Sequence, residues 1–248
     1  IVALLAFTRA TLPASVLARP LGRAGVTAAA FGGTLWSGSA QRIAWRGTEL
    51  GDLAWQLQPR RLLRGRIAGH ATLRRTDGSL ETGFDVAFSG RDLRLEQAEF
   101  TLPIAALASL PLGMPQGWRG LAGAAFEVLV FADGWPAEAR GVVDLDGLVA
   151  PPPRNAPIGS FHAVFPHPRP QDSLSVPADA SNITAAVTDT DGPFAVQAQL
   201  TLSRTRNFAL EGTLVPRGPV PPAMERSLQM LGPADAAGRR QFSVGGTL

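Results

Sequence analysis

The stretch that decides the fold runs from Phe194 to Leu202 and reads Phe-Ala-Val-Gln-Ala-Gln-Leu-Thr-Leu. Apolar residues occupy every second position, and alanine or polar residues occupy the positions between them. A period of two places successive side chains on opposite faces of an extended chain. The segment therefore predicts a β-strand with one core face and one solvent-facing side.

The same alternation recurs from about residue 25 to the end of the chain, most clearly at Leu80, Thr82, Phe84, Val86 and Phe88. Tight-turn sequences separate the alternating runs. Because strands that follow one another through tight turns pair antiparallel, we predict an all-β fold, a long, curved, mainly antiparallel meander sheet of about eleven to thirteen strands. The clearest of these turn sequences lie at 76–79, 89–92, 189–193 and 204–207.

Two short helices accompany the predicted sheet, at 103–110 and 221–231, because each segment begins with proline and stops at a proline or glycine. The proline-rich stretches 151–157 and 166–170 either divide the chain, with a subdivision near 150–157, or form loops in one continuous sheet. We favour the continuous sheet. The alternation changes phase between Leu95 and Ala98, which predicts a β-bulge there.

The first seven residues, Ile-Val-Ala-Leu-Leu-Ala-Phe, are all apolar and give way to Thr8 and Arg9. Seven helical residues rise only about 10 Å, whereas a membrane-spanning helix needs about 20 residues. We interpret residues 1–13 as the end of a truncated transmembrane helix and a connector, with the β-rich domain at 14–248. A short buried helix and a leftover signal-peptide core are the alternatives.

Several classes of active site are excluded by composition. The chain contains no cysteine and no lysine, so all 23 basic residues are arginine. It therefore lacks the lysine of a phosphate-binding loop, a Schiff-base lysine, a thiol nucleophile and a cysteine zinc site. His162 and His167 have no carboxylate at ligand spacing. We predict no catalytic residue, no cofactor and no metal, and hence a protein that is not an enzyme.

Charge is unevenly distributed, with a net charge of +9 over residues 1–75 and −6 over residues 76–154. No aromatic residue is interleaved with the basic residues of 58–75, as stacking on nucleic-acid bases would require. Contact with anionic lipid headgroups or an acidic protein domain is the functional interpretation, and a solvated face is the alternative. The arginine cluster consists of Arg60, Arg61, Arg64, Arg66, Arg74 and Arg75.

One predicted strand is apolar on both faces, unlike the others. Phe126, Val128 and Val130 lie on one face, and Leu129 and Phe131 lie on the other. Either a helix covers the second face, or the sheet curves so that its concave side, lined by these residues, is an apolar groove.

Several motifs, read in order, together resemble one family, protein N of the bacterial type II secretion system. The most specific is Gly33-Thr-Leu-Trp-Ser-Gly-Ser-Ala40, in which the glycine pair is expected to start a strand with Leu35 and Trp36 on opposite faces. The resemblance implies a bitopic inner-membrane protein with its bulk in the periplasm, acting between the inner-membrane platform and the outer-membrane secretin, without enzymatic activity. The motifs lie at 12–16, 33–40, 45–47, 50–57, 62–66, 231–233 and 238–248.

Two functional hypotheses follow. The first is a scaffold that docks other secretion-system proteins through an exposed edge strand or the basic face, with Trp36, Trp45 and Trp55 forming either an exposed aromatic row or part of the core. The second is a periplasmic protein that binds or transports lipid in the groove of Phe126, Val128, Leu129, Val130 and Phe131. Candidate partner-binding arginines are Arg60, Arg61, Arg64 and Arg66.

Overall fold

A computed structural model describes residues 12–107, 117–166, 182–218, 228, 231 and 233–247 of the protein. Fourteen strands dominate these residues. The strands are β1 (Val26–Thr27), β2 (Ala30–Gly33), β3 (Ser37–Trp45), β4 (Thr48–Leu57), β5 (Arg66–Arg74), β6 (Ser79–Ala87), β7 (Asp92–Pro103), β8 (Arg119–Ala132), β9 (Trp135–Val149), β10 (Pro157–Phe165), β11 (Ile183–Asp191), β12 (Phe194–Leu202), β13 (Asn207–Pro216) and β14 (Arg240–Thr247). The helices are a 3₁₀ helix (Ala14–Leu17), α1 (Ala18–Arg23), α2 (Pro59–Leu62) and α3 (Ile104–Leu107).

The chain divides into two compact units. The first contains the described residues up to Phe100 together with Phe131–Gly134. Its strands follow the order β1, β3, β4, β5, β6 and β7, and β2 also pairs with β3. The registers from β1 to β6 are antiparallel. This confirms the predicted meander, and the two short strands β1 and β2 both pair with β3 in the same sheet.

The second unit contains the described residues of Thr101–Val130 and Trp135–Leu248. Its strands are ordered β8 to β14, as in the sequence. From β9 to β14 each strand pairs antiparallel with the next. The proline-rich stretch 151–157 joins β9 to β10 inside this unit.

Local sequence signals predicted most of the connections. All four predicted turns lie between consecutive strands, β5–β6, β6–β7, β11–β12 and β12–β13. The phase change in β7 coincides with Gln97, whose φ of 49° is the left-handed conformation that bulges use. The predicted helix at 103–110 is present as α3 in its described part.

Several predictions fall on residues outside the described ranges. They are the apolar residues 1–7, His167, most of the proline stretch 166–170, and the predicted helix at 221–231 except Leu228 and Leu231. In the described part of the chain, no helix is both long and apolar enough to cross a membrane.

Among the described residues, the buried clusters are rich in alanine. In the first unit, Ala14 of the 3₁₀ helix packs with Ala40, Ile43 and Trp55 of β3 and β4. Each of these four residues is less than 9% exposed. In the second unit, a smaller cluster is built around Ala150 and Ala156. Most apolar strand residues are therefore half-buried rather than enclosed.

Candidate docking surfaces

The glycine motif forms a β-hairpin turn, and this corrects the strand expected through Leu35 and Trp36. Gly33 pairs with Gly38 at the ends of β2 and β3. Between them, the Thr34 amide donates to the Ser37 carbonyl at 2.9 Å, and the Ser37 amide donates to Thr34 Oγ1 at 3.1 Å. Gly33 has a φ of 76°, which a residue with a side chain adopts only with strain. The two apolar residues are therefore at a turn and not on opposite faces of a strand.

The three tryptophans occupy different places. Trp55 is core, and its Nε1 donates to the Leu35 carbonyl of the hairpin turn at 2.9 Å. Trp45 pairs with Thr48 at the far end of the β3–β4 hairpin, where the Arg46 guanidinium lies 5.2 Å from its ring centroid. Since Thr48 and Trp55 are seven residues apart on β4, Trp45 and Trp55 are separated by about 23 Å and form no stacked row.

Trp36 belongs to the same end of the sheet as Trp55. Its carbonyl accepts a hydrogen bond from the Leu57 amide at 2.6 Å, and the ring is half-buried. Core packing, the alternative to an exposed row, is thus the role of Trp55. Docking of a partner on Trp36 or Trp45 stays a prediction.

The arginine cluster is divided by the fold into paired and unpaired members. Arg66 Nε lies 2.5 Å from Asp85 Oδ1, and Arg61 Nη1 lies 3.7 Å from the other oxygen of the same carboxylate. Arg75, at the opposite end of β5, lies 2.7 Å from Asp77. That hydrogen bond is the main reason why the pKa of Arg75 is raised and the pKa of Asp77 is lowered.

Arg60 and Arg64, in the segment around α2, are exposed and form no ion pair with any described residue. Arg74 is exposed at the end of β5 that leads into the turn with Asp77. The six arginines of the sequence cluster therefore lie at two ends of one sheet. The unneutralised charge at the α2 end comes chiefly from Arg60 and Arg64.

Exposed apolar side chains lie beside this charge, a feature that charge counting missed. Leu63 is 84% exposed, Phe88 is 60% exposed and Ile67 is 38% exposed. The Phe88 amide donates to the Gly65 carbonyl at 3.0 Å, which brings the β6–β7 loop against the β4–β5 loop. Two sequence features could have indicated these exposed side chains. Leu63 lies between Arg61 and Arg64, and Phe88 is the last residue of an alternating apolar run.

The strand that is apolar on both faces is β8. Phe126 is buried, and its ring centroid lies 5.9 Å from that of Phe165 on β10. Val128, Leu129 and Val130 are half-buried. Phe131 is also half-buried and belongs to the first unit. An apolar groove along these residues stays a prediction.

A pocket of about 580 Å³ opens in the second unit, at the connection between β9 and β10. Trp118, Ile158, Phe194 and Leu214 line its apolar wall, and Arg154 contributes a charged side chain. This volume and an apolar wall with few polar groups are typical of small-ligand sites. Sequence reasoning missed the pocket because its wall comes from strands far apart in the chain.

The last strand, β14, is a sheet edge. It pairs with β13 from Asn207↔Thr247 to Leu214↔Arg240, and no other described strand lies beside it. Val244 is 52% exposed. A proline in an edge strand is one device that prevents the edge from pairing with another chain. β14 contains no proline.

The described residues provide few groups for chemistry. His162 Nδ1 lies 2.6 Å from Asp144, and His70 Nε2 lies 2.9 Å from Glu81, each as an isolated pair. Within the described ranges, no three histidine, aspartate or glutamate side chains come together as metal ligands.

Comparison with known proteins agrees with the resemblance seen in the motifs. Residues 24–243 match the family model described as type II secretion system (T2SS), protein N. The chain is similar to type II secretion system protein N of Aeromonas hydrophila, with 28% identity over 249 residues, 96% of this chain and 92% of the relative. Its similarity to the protein of the same name from Vibrio cholerae serotype O1 is 26% identity over 248 residues, 96% of this chain and 91% of the relative. No solved structure matches it.

Proposed function

Because the chain belongs to the protein N family of the type II secretion system, we propose that it is a non-enzymatic accessory scaffold of that system. In this role it contacts the inner-membrane platform and the outer-membrane secretin. The family membership supports a place among the components of the apparatus. The two antiparallel meanders, with their exposed edge and apolar surfaces, favour a binding role over catalysis.

The proposed location is the inner membrane, with the bulk of the chain in the periplasm. The apolar run of residues 1–7 supports this location. The absence of cysteine means that the domain needs no disulfide in the oxidising periplasm.

The free edge of β14 carries the scaffold proposal. An edge strand presents unpaired backbone N–H and C=O groups, and an extended segment of a partner can add to it as a further strand. Val244 is 52% exposed on this strand, and the next two residues, Gly245 and Gly246, are exposed and have no side chains of their own. A partner strand therefore finds both hydrogen-bonding groups and an apolar contact.

The test is native mass spectrometry of the full-length protein, gently extracted from its own membranes. We expect platform or secretin subunits to accompany the wild type and to be lost from Val244→Arg, which places a charge in the pairing surface. Leu121→Arg is the matched control, because Leu121 is 40% exposed on a strand of the same unit. Partners retained by Val244→Arg refute docking at the edge, and no secretion-system partner on the wild type refutes the scaffold itself.

A second candidate function is lipid binding, and the apolar pocket favours it. A volume of about 580 Å³ and a wall of Trp118, Ile158, Phe194 and Leu214 suit part of an acyl chain. In the same experiment, stoichiometric phospholipid on the wild type and its loss from Leu214→Trp, which fills the pocket, support this function. Phospholipid retained by that variant places the lipid elsewhere, and absence of lipid from the wild type removes the candidate.

A further inference from the structure

We propose that one end of the first unit rests on the surface of an anionic lipid bilayer. The surface, named the arginine tip, consists of the segment 58–67 and Phe88. It combines two arginines that have no acidic partner among the described residues, Arg60 and Arg64, with apolar side chains that project into solvent. The proposal rests on the membrane location in the proposed function and assigns a specific contact surface that the location does not require.

Strand register explains why apolar side chains meet at this end. Ile67 pairs with Val86, and paired residues in an antiparallel ladder point to the same face. Phe88 is two residues beyond Val86, so the alternation places it on the same face as Val86. The Phe88 amide is bonded to the Gly65 carbonyl at 3.0 Å, so Phe88 lies beside the loop that contains Leu63.

The exposure of these residues is unusual for their type. Leu63 is 84% exposed and Phe88 is 60% exposed, among the few large apolar side chains of the described residues that are so open to solvent. Single exposed apolar residues are ordinary, but here two lie on loops that a backbone hydrogen bond holds together. Insertion into the interfacial zone of a bilayer removes this surface from water.

The charge of the tip complements an anionic surface. The segment 58–67 contains four arginines and no acidic residue. Asp85 contacts Arg61 and Arg66, which leaves Arg60 and Arg64 without an acidic partner among the described residues. Arginine near an anionic membrane is attracted to the headgroups, while its apolar stem packs along the interface.

The neighbouring loops reduce this charge without reversing it. Arg91 lies 3.9 Å from Asp133, and both side chains are largely exposed. Asp92 begins β7 at the same end of the sheet. This end of the sheet therefore has five arginines, the four of segment 58–67 and Arg91. It has three aspartates, Asp85, Asp92 and Asp133.

The described part of the chain begins at the same end of the sheet as the arginine tip. The Leu12 carbonyl accepts a hydrogen bond from the Leu35 amide at 2.7 Å, and the Leu57 amide donates to the Trp36 carbonyl at 2.6 Å. Leu57 is the last residue of β4 and leads directly into the tip. Leu12, the first described residue, therefore lies at the end of the sheet that carries Leu63 and Phe88.

These observations favour a lipid surface over an acidic protein. The apolar side chains of Leu63 and Phe88 project from two loops and are largely exposed, whereas the residues that hold a partner protein usually lie in a packed pocket. A bilayer surface offers anionic headgroups and an apolar layer side by side, so it can receive both the arginines and the apolar side chains of the tip.

The absence of cysteine allows a direct test on the full chain. Single cysteines at Leu63→Cys, Phe88→Cys and, as the control, Thr76→Cys are labelled with an environment-sensitive fluorophore. Thr76 is exposed in the β5–β6 turn, at the opposite end of the same strands. Each protein is reconstituted into vesicles of phosphatidylethanolamine and phosphatidylglycerol, and iodide quenching is measured. We expect quenching at 63 and 88 to be about fivefold or more weaker than at 76.

The contribution of charge is tested in the same vesicles. The double change Arg60→Gln with Arg64→Gln is expected to restore quenching at position 63 toward the value at position 76, as are vesicles of phosphatidylcholine alone. The matched control is Arg204→Gln with Arg206→Gln, which removes two exposed arginines of the β12–β13 turn. That control is expected to leave the quenching at 63 unchanged.

Equal quenching at 63, 88 and 76 in anionic vesicles overturns the proposal. Protection that develops only after purified platform subunits are added also overturns it, and identifies an acidic protein as the occupant. The first result is obtained in vesicles that contain no other secretion-system protein, so it is independent of whether subunits accompany the wild type and the Val244→Arg variant.

Discussion

Replacing Gly38 with alanine is expected to destabilise the first unit, because this glycine lies under the ring of Trp55. Gly38 pairs with Trp55 across β3 and β4 and with Gly33 across β2 and β3. A Cβ atom at Gly38 would lie 2.6 Å from Trp55 Cζ2 and 2.6 Å from the Thr34 carbonyl oxygen. Both distances are far below van der Waals contact, so either the indole or the hairpin turn has to move.

The magnitude follows from two effects. Overpacking a well-packed site by one methyl group costs about 1–3 kcal/mol. Displacing the indole also weakens the bond from Trp55 Nε1 to the Leu35 carbonyl, and a hydrogen bond of this kind contributes about 1 kcal/mol. The free energy of unfolding of the first unit is therefore expected to fall by about 2–4 kcal/mol.

Urea unfolding, followed by tryptophan fluorescence and by hydrogen exchange of the β3 and β4 amides, measures this loss. Gly32→Ala is the matched control, because its Cβ would lie 3.1 Å from Ser39 Oγ, a side-chain atom that can rotate away. We expect the control to cost less than about 1 kcal/mol. In a Trp55→Phe background, which removes the outer ring of the indole, Gly38→Ala is expected to cost at least about 1 kcal/mol less.

Equal losses for Gly38→Ala and Gly32→Ala would refute the reasoning, as would an unfolding free energy of Gly38→Ala within about 0.5 kcal/mol of the wild type. Additivity of Gly38→Ala and Trp55→Phe would show that the indole is not the obstacle, and would leave the Thr34 carbonyl as the cause of any loss.

Three further changes test other parts of the structure. Trp135→Phe should shift the unfolding free energy by less than about 1 kcal/mol in urea titrations, since the packing lost with the smaller ring is offset by removal of the buried Trp135 Nε1, which has no hydrogen-bond partner among the described residues. Asp189→Asn should cost about 2 kcal/mol in the same assay, because the carboxylate is 6% exposed, accepts the Val196 amide at 2.6 Å and pairs with Arg217. The pKa of Asp235 is lowered, chiefly by the backbone amide of Arg239, so its stabilisation of the 235–239 turn should be complete above its ordinary value of 3.8 and be lost as the pH falls below it. The amide NMR chemical shifts of the turn should change with pH as Asp235 titrates. This pH dependence should be absent in Asp235→Asn.

Local signals were sufficient for the strands and many of their connections. The alternation at Leu80 to Phe88 predicted β6, which the structure places at Ser79–Ala87. The turn sequence 76–79 predicted its junction with β5. Both signals act over a few residues, and an antiparallel meander requires little beyond consecutive strands and short turns.

The hairpin turn at Gly33 to Gly38 was misread because its cause is not local. Leu35 and Trp36 have the apolar character of strand residues, and the segment alone suggests extension. The turn is fixed in part by the hydrogen bond from Trp55 to the Leu35 carbonyl, between residues 20 positions apart. Such a contact exists only once β3 and β4 are paired, so a pattern read along the chain cannot contain it.

The docking surfaces depend on register in the same way. The six clustered arginines were visible in the sequence, but Asp85, which pairs with Arg66, lies 19 residues further along the chain. Arg66 pairs with Ala87, and Asp85 is two residues from Ala87, so Arg66 and Asp85 lie on the same face of the sheet. Ile67 and Phe88 lie on the opposite face, so the paired charges are separated from the apolar part of the tip. A one-residue insertion in the β5–β6 turn would shift this register and carry Asp85 to the other face. The charge exposed at the tip is therefore determined by a turn at the opposite end of the strands, and arginine content alone could not have predicted it.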